Sequence, residues 1–260
     1  MPAYADLDGV NTWYDSHGEG DALVLLHPGG AGVDSRALAP NVGALAKRFR
    51  VYTPERRAHG HTPDVDGPIT FDAMAQDTIA FVEQVVGGPA HLVGYSDGAC
   101  VALLVSLHRP ELVRGLVVVA GPFHYNGWVR SAIDPDIAPP EFLARAYAEV
   151  SPDGPEHYPV VVEKLALMHL CEPTLTAARL GAVASRTLVM LGDDDEVTLE
   201  HAIAAYRAVP DAELMVVPGT SHGLLVEKPE LCNAVIVDFL TTAPVKTVAP
   251  IRRASVPSTG

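Results

Sequence analysis

Short apolar runs rich in Val and Leu recur along the chain at 22–26, 50–52, 90–93, 116–119, 187–191 and 214–217. They are too short for helices and apolar at consecutive positions, which predicts strands buried on both faces. The intervening segments 35–48, 70–86, 97–107, 199–209 and 229–240 instead space their apolar residues three or four apart and hold little Gly or Pro. They read as helices. This alternation predicts parallel strands joined by crossover helices, with functional loops gathered at the carboxyl ends of the strands. Residues 5–15 suit an antiparallel edge hairpin.

One interval breaks the rhythm. Between 121 and 184 lie Pro122, Pro135, Pro139, Pro140, Pro152, Pro155 and Pro159, interleaved with helical spacing at 141–150 and 160–170. An insertion of that length between two buried strands is expected to carry its own structure, here a small helical cap over the strand ends that sets substrate choice. The expected layout is a core of 1–121 and 185–241, a cap of 122–184, and a Pro- and Ser-rich tail, 242–260, without order. No internal repeat is visible.

With 260 residues, 48% of them hydrophobic, the chain can bury a sizeable core. Its 18 basic and 32 acidic residues give a formal charge of −14 with no local basic patch, which argues against nucleic-acid or anionic-membrane partners. Cys100, Cys171 and Cys232 are odd in number and lack CxxC spacing. They predict free thiols in a reducing compartment rather than a disulfide or zinc framework. The opening MPAYADLDGV has no basic segment followed by an apolar run, and no stretch is long and apolar enough to span a bilayer. A cytoplasmic protein is expected, with its oligomeric state left open.

Chemistry enters at His91 to Cys100, HLVGYSDGAC, where an apolar strand runs into Ser96 with Gly94 and Gly98 on either side. Gly-x-Ser-x-Gly suits a tight strand-to-helix turn that lifts a hydroxyl clear of its surroundings. Such a hydroxyl is a poor nucleophile without a base, and the base needs an orienting carboxylate. His222, in VVPGTSHGLL, follows the last predicted strand; the acidic turn Asp193, Asp194 and Asp195, in LVMLGDDDEVT, follows the strand before it. Such an acidic run also suits a solvated turn, and the chain has no second oxygen-ligand cluster to make it a metal site. The glycines of HPGGAG, 27–32, leave backbone N–H groups open to an oxyanion, with Gly29 and the N–H of Asp97 as candidate donors and Gly30 as a substitute. A nucleotide loop is disfavoured, since neither GxGxxG nor GK[ST] is present.

Taken in order, HPGG, RRAHGHTP, GYSDGA, GDDD and the His of GTSHG resemble the signature stretches of the α/β-hydrolase superfamily over residues 20–240. The resemblance implies an α/β-hydrolase fold, a mostly parallel eight-stranded sheet flanked by helices with a small cap insertion. It also implies that the acid is Asp195, closing a Gly-Asp-x-Asp turn, and that Ser96, Asp195 and His222 form a triad. The stretch Arg57-Ala58-His59-Gly60 resembles the family's loop after the fourth strand, with an extra Arg56, and two departures exist: Pro28 follows His27 where glycine is usual, and Ala99 replaces a frequent glycine. GYSDGA further resembles the serine elbow of the small esterases of the valacyclovir hydrolase type, which also carry Asp after the nucleophile. A carboxylate there would favour amino-acid esters, although Asp97 equally suits the positive end of the following helix.

The expected activity is cofactor-independent, metal-free hydrolysis of a small carboxylic ester through an acyl-enzyme. Phe123, Tyr125 and Trp128, at the start of the cap, are candidate aromatic walls for the acyl or alcohol group and equally candidates for cap core. His59, His61 and His124 either line the pocket or are simply solvated, and Cys100 is expected in the core. Alternatives are a lactone or carbon–carbon bond hydrolase or a perhydrolase using the same triad, and a non-catalytic ligand receptor of this fold.

Overall fold

Each of the six apolar runs forms a strand, and the opening hairpin supplies two more. The computed structural model describes residues 2–134 and 137–251. In chain order the elements are β1 (Ala3–Leu7), β2 (Val10–His17), β3 (Asp21–Leu26), α1 (Ala39–Leu45), β4 (Phe49–Pro54), α2 (Phe71–Phe81), β5 (Ala90–Tyr95), α3 (Asp97–His108) and β6 (Val113–Val119). There follow α4 (Glu141–Val150), α5 (Tyr158–Cys171), α6 (Ala177–Leu180), β7 (Thr187–Asp194), α7 (Leu199–Ala208), β8 (Ala212–Ser221), α8 (Leu224–Glu227) and α9 (Pro229–Thr241). The eight strands make one sheet in the order β1-β2-β4-β3-β5-β6-β7-β8. Only β2 runs against the rest, pairing antiparallel with β1 and β4.

Alternation along the strands explains the layers. Val24 and Leu26 of β3, with Leu92 of β5 and Leu116 and Val118 of β6, join a core shared with Met74 and Ile79 of α2 and Val101 and Val105 of α3. The intervening Leu23, Leu25, Val93, Val117 and Val119 face the other way, onto Leu45 of α1 and Ile236 and Phe239 of α9. Successive side chains point to opposite faces of a strand, so a continuous apolar run covers both. Here that is why six short runs suffice to hold helices on two sides.

Two predicted helices are divided. The 35–48 segment is a 3-10 turn, Ser35–Leu38, followed by α1. Pro40 has no N–H to continue a helix begun at Ser35, but fits the first turn of one begun at Ala39. The 70–86 segment starts as expected, with Thr70 Oγ1 accepting the Ala73 N–H at 3.0 Å, and then widens into a π-type turn at Val82–Val86 closed by left-handed Gly87.

The segment between β6 and β7 holds α4, α5 and α6 together with 3-10 turns at Tyr125–Gly127, Arg130–Ile133 and Pro155–His157. A bridge between His124 and Thr174 draws its first and last turns together. Asp64, in the loop after β4, accepts from His157 Nε2 at 2.9 Å and Lys164 Nζ at 2.6 Å, and Glu172 accepts the Phe71 N–H at 2.8 Å. Tyr147, Val161, Leu165 and Met168 of this segment join the core that lies on α2 and α3. Residues 242–251 have no helix or strand and are exposed; the remainder of the expected tail, 252–260, lies outside the described residues.

Candidate active site

Ser96 sits between β5 and α3 with φ 56° and ψ −119°, a backbone conformation that L residues rarely adopt. The turn can close only because of its glycines. A Cβ on Gly94 would lie 2.2 Å from the Gly98 carbonyl oxygen, and one on Gly98 would lie 2.4 Å from that of Leu26. The Ser96 N–H donates to the Val119 carbonyl at 2.8 Å, which pins the turn to β6.

His222 follows β8 and Asp195 follows β7, two strands that are parallel neighbours. His222 Nε2 lies 2.9 Å from Ser96 Oγ and its Nδ1 lies 2.8 Å from Asp195 Oδ1. An ionised carboxylate only accepts, so Nδ1 carries the proton and Nε2 is left to accept from the serine hydroxyl. The Asp195 side chain is fully buried, with Oδ2 accepting the Gly192 N–H at 2.9 Å and Oδ1 the Val197 N–H at 3.0 Å. Burial pushes its carboxyl upward, but His222 and the two N–H groups outweigh that and hold it below the ordinary value. For His222, burial pushes downward and Asp195 outweighs it, so the imidazole is raised. Tyr95 Oη donates to the His222 carbonyl at 2.6 Å and fixes the loop. The three acids of the turn thus separate: exposed Asp193 accepts the Thr220 N–H at 3.1 Å, Asp194 is exposed, and Asp195 meets the imidazole.

Ser96 opens on a cavity of about 600 Å³ that Gly29, Gly30, Asp97 and His222 also line. The N–H groups of Gly29 and Asp97 donate to no protein acceptor among the described residues. Arg56 braces the Gly29 loop from inside. It is buried, donates through Nη1 to the His27 carbonyl and through Nη2 to the Pro28 carbonyl at 3.1 Å, and its own N–H donates to His27 Nε2 at 3.2 Å. His27 Nδ1 completes the grip on the Pro28 carbonyl at 2.7 Å. In a trans peptide the C=O and the next N–H point opposite ways, so this grip turns the Gly29 N–H away from Arg56. Burial pushes Arg56 down to about 10 against the opposing pull of Asp97. His27 falls well below the ordinary value through burial and the charge of Arg56, and stays neutral.

Asp97 opens α3, and its carboxylate is 2% exposed. Its oxygens lie 2.9 Å and 3.0 Å from Nε2 of His169 on α5. Burial pushes the Asp97 carboxyl up, but His169 outweighs it and the net shift is downward. Burial pushes His169 down, and Asp97 more than restores it.

Of the three aromatic candidates, the structure brings only Trp128 to the cavity, where its ring lies edge-on to His222 at 5.7 Å. Phe123 does not reach it. Its ring is stacked on His201 of α7 at 3.9 Å, and its N–H donates to His201 Nε2 at 3.1 Å. Tyr125 also lies away from the cavity, at the base of the inserted segment, with its N–H on the Pro173 carbonyl at 2.7 Å and its ring against His124. The wall also includes Ile133, Val162, Leu165, Ala166 and His169, together with the acidic Asp134 and Glu196. His59, His61 and His124 are not among the lining residues: His59 is buried beside His27, and His61 lies on Glu55 at 2.9 Å. Nothing in the helical spacing of 160–170 marks His169 as the partner of Asp97, because the two are brought together only by folding. Arg56 did leave a trace, as the additional arginine of RRAHGHTP.

A strand-turn-helix serine, a histidine after the last strand and an acid after the strand before it, on this sheet order, define an α/β hydrolase. The Alpha/beta hydrolase family model matches residues 23–235, and the chain belongs to that family. Among its relatives, the candidate carbamate hydrolase RutD of Caulobacter segnis is 27% identical, over 91% of this chain and 98% of that protein. Serine hydrolase BPHL of Mus musculus is 26% identical, over 90% of this chain and 84% of its own length. Among solved structures, a serine hydrolase involved in carbazole degradation, the CarC enzyme, superposes with a TM-score of 0.78 at 23% identity, over 94% of this chain and 99% of its own.

Proposed function

We propose that the protein is a serine hydrolase that cleaves a small carboxylic ester through an acyl-enzyme. The observation that carries this reading is the unbroken relay Ser96 Oγ, His222 Nε2, His222 Nδ1, Asp195 Oδ1, at 2.9 Å and 2.8 Å, opening on a cavity. Ser96 Oγ attacks the ester carbonyl carbon as its proton passes to His222 Nε2. Asp195 holds the imidazole in the tautomer that can accept that proton and stabilises the imidazolium that forms. The negative charge on the former carbonyl oxygen is met by the N–H groups of Gly29 and Asp97. Collapse of the adduct breaks the bond to the alkoxy oxygen, which leaves as the alcohol with the proton from His222. Water then repeats the sequence on the acyl-enzyme, giving up a proton to His222 and releasing the acid and free Ser96.

In this reading the segment 122–184 acts as a cap. The largely apolar wall of the cavity favours a substrate with an apolar acyl or alcohol group. Among the described residues no helix is long and apolar enough to cross a membrane, and the three cysteines are unpaired. Free thiols fit a reducing compartment, and we place the protein in the cytoplasm.

A fluorophosphonate probe followed by intact-protein mass spectrometry tests the assignment. One adduct is expected on the wild type and none on Ser96→Ala; an adduct that survives the substitution refutes it, and complete absence of labelling favours a ligand receptor. A panel of p-nitrophenyl esters, lactones, carbamates and β-diketones then assigns the bond. The ester reading requires the esters to give the highest kcat/KM.

A further inference from the structure

The carboxylate of Asp97 stands one residue from the proposed nucleophile, in the wall of the same cavity. Left alone it would draw in a substrate ammonium group and repel a carboxylate. It is not alone. His169 Nε2 spans both of its oxygens at 2.9 Å and 3.0 Å, from a helix of the inserted segment. On another side the carboxylate is packed so tightly on Gly29 that a Cβ there would lie 1.7 Å from Oδ2. The buried guanidinium of Arg56 adds its charge to that of His169.

We propose that His169 is a specificity-determining residue: it supplies from within the protein the cation that Asp97 would otherwise take from a substrate, so the site accepts uncharged acyl groups and turns away α-aminoacyl esters. This rests on the serine hydrolase reading above. An ammonium entering the acyl pocket beside Ser96 would find Asp97 already engaged by His169 and Arg56, while the other lining carboxylates, Asp134 and Glu196, belong to other parts of the chain and not to the serine elbow. Like charges brought beside a buried ion pair repel, so the ammonium loses on both counts. The imidazole is held in place by more than Asp97. Its ring lies 6.2 Å from that of Phe71 and 6.3 Å from that of Trp128, and Leu165 and Ala166 of the same helix line the cavity. These neighbours give an uncharged, branched acyl chain a surface to cover.

The test compares valyl and isovaleryl esters of one alcohol, which differ by the ammonium group, below the pKa of that amine. The wild type is expected to favour the isovaleryl ester by about tenfold or more in kcat/KM. His169→Ala frees the Asp97 carboxylate and raises the valyl to isovaleryl ratio by about tenfold or more, and Asp97→Asn in that background cancels the rise. His169→Gln keeps a neutral donor and is expected to fall between wild type and His169→Ala. Each ratio is taken on one sample, so a partly unfolded variant does not distort it. A wild type that prefers the valyl ester, or a ratio unchanged in both His169 variants, overturns the proposal. Calorimetric titration with isoamylammonium needs no turnover: binding to His169→Ala but not to wild type supports the proposal, and binding equally to both refutes it. Loss of Ser96 labelling by the phosphonate would instead sink the hydrolase reading and leave this binding contrast to be judged by itself.

Discussion

Replacing Asp195 by Asn is the perturbation whose consequences the structure fixes most closely. Oδ1 accepts from both His222 Nδ1 and the Val197 N–H, whereas Oδ2 accepts from the Gly192 N–H alone. An amide that keeps its oxygen at the Oδ1 position sets its NH2 against the Gly192 N–H, donor facing donor. The flipped amide loses two bonds and offers a donor to Nδ1, which drives the imidazole proton to Nε2 and leaves the ring unable to accept from Ser96. The first arrangement costs about 1–3 kcal/mol of stability for an unsatisfied buried group. Both remove the charge that stabilises the imidazolium, and kcat is expected to fall on the order of 10³–10⁴-fold, or about 4–5.5 kcal/mol of barrier. The pH profile adds a sign. Asp195 raises His222, and the base works only when neutral, so kcat/KM of the wild type climbs as pH rises through that raised value. In the Asn variant the lift is gone. Stopped-flow hydrolysis of a p-nitrophenyl ester across pH should show a lower plateau and an acidic limb displaced to lower pH. A limb that stays in place or moves upward would refute the assigned coupling.

Three further outcomes follow from other parts of the molecule. Gly98→Ala would place a Cβ 2.4 Å from the Leu26 carbonyl oxygen and 2.7 Å from that of His27, both backbone atoms that no rotamer change can move, so thermal melts should show a loss of about 1–3 kcal/mol. Arg56→Met should lower kcat about 10–100-fold with little change in KM, by releasing the Pro28 carbonyl and with it the aim of the Gly29 N–H; a boronic acid transition-state analogue should weaken in proportion, and Arg56→Lys should restore part of both. Asp64→Asn loosens the attachment of α5 and should cost about 1–3 kcal/mol near neutral pH. Burial raises the Asp64 carboxyl but Lys164 and His157 outweigh it, so its folded-state pKa is lowered. That contribution is present above the unfolded value of 3.8 and is lost as pH falls through the lower folded value, so melts of wild type and variant should converge in acid.

The strands were legible because they are buried on both faces: continuous apolar runs such as 22–26 and 187–191 leave little other reading. Their ends were less so. β8 runs to Ser221 and β7 to Asp194, past the apolar residues, because backbone pairing continues where side chains have turned polar, as in Asp194 opposite Ser221. The elbow could be read because glycine is the residue that its close backbone approaches require. The partners of buried polar groups could not. Asp97 and His169 are separated by 72 positions, and no local pattern in either segment anticipates the other. Sequence alone does not separate Phe123 from Trp128 as cavity wall or cap core, because a 3-10 turn between them sends one ring to His201 and the other to His222.

The histidine at the heart of the proposed relay directly follows the outermost strand at its end of the sheet, since β8 has β7 as its one hydrogen-bonded neighbour. A margin strand is hydrogen-bonded from one side only, so the proposed base is carried by a loop whose strand joins the sheet through β7 alone. During refolding, recovery of turnover would then time the docking of that margin, and should lag behind signals that arise from the interior strands.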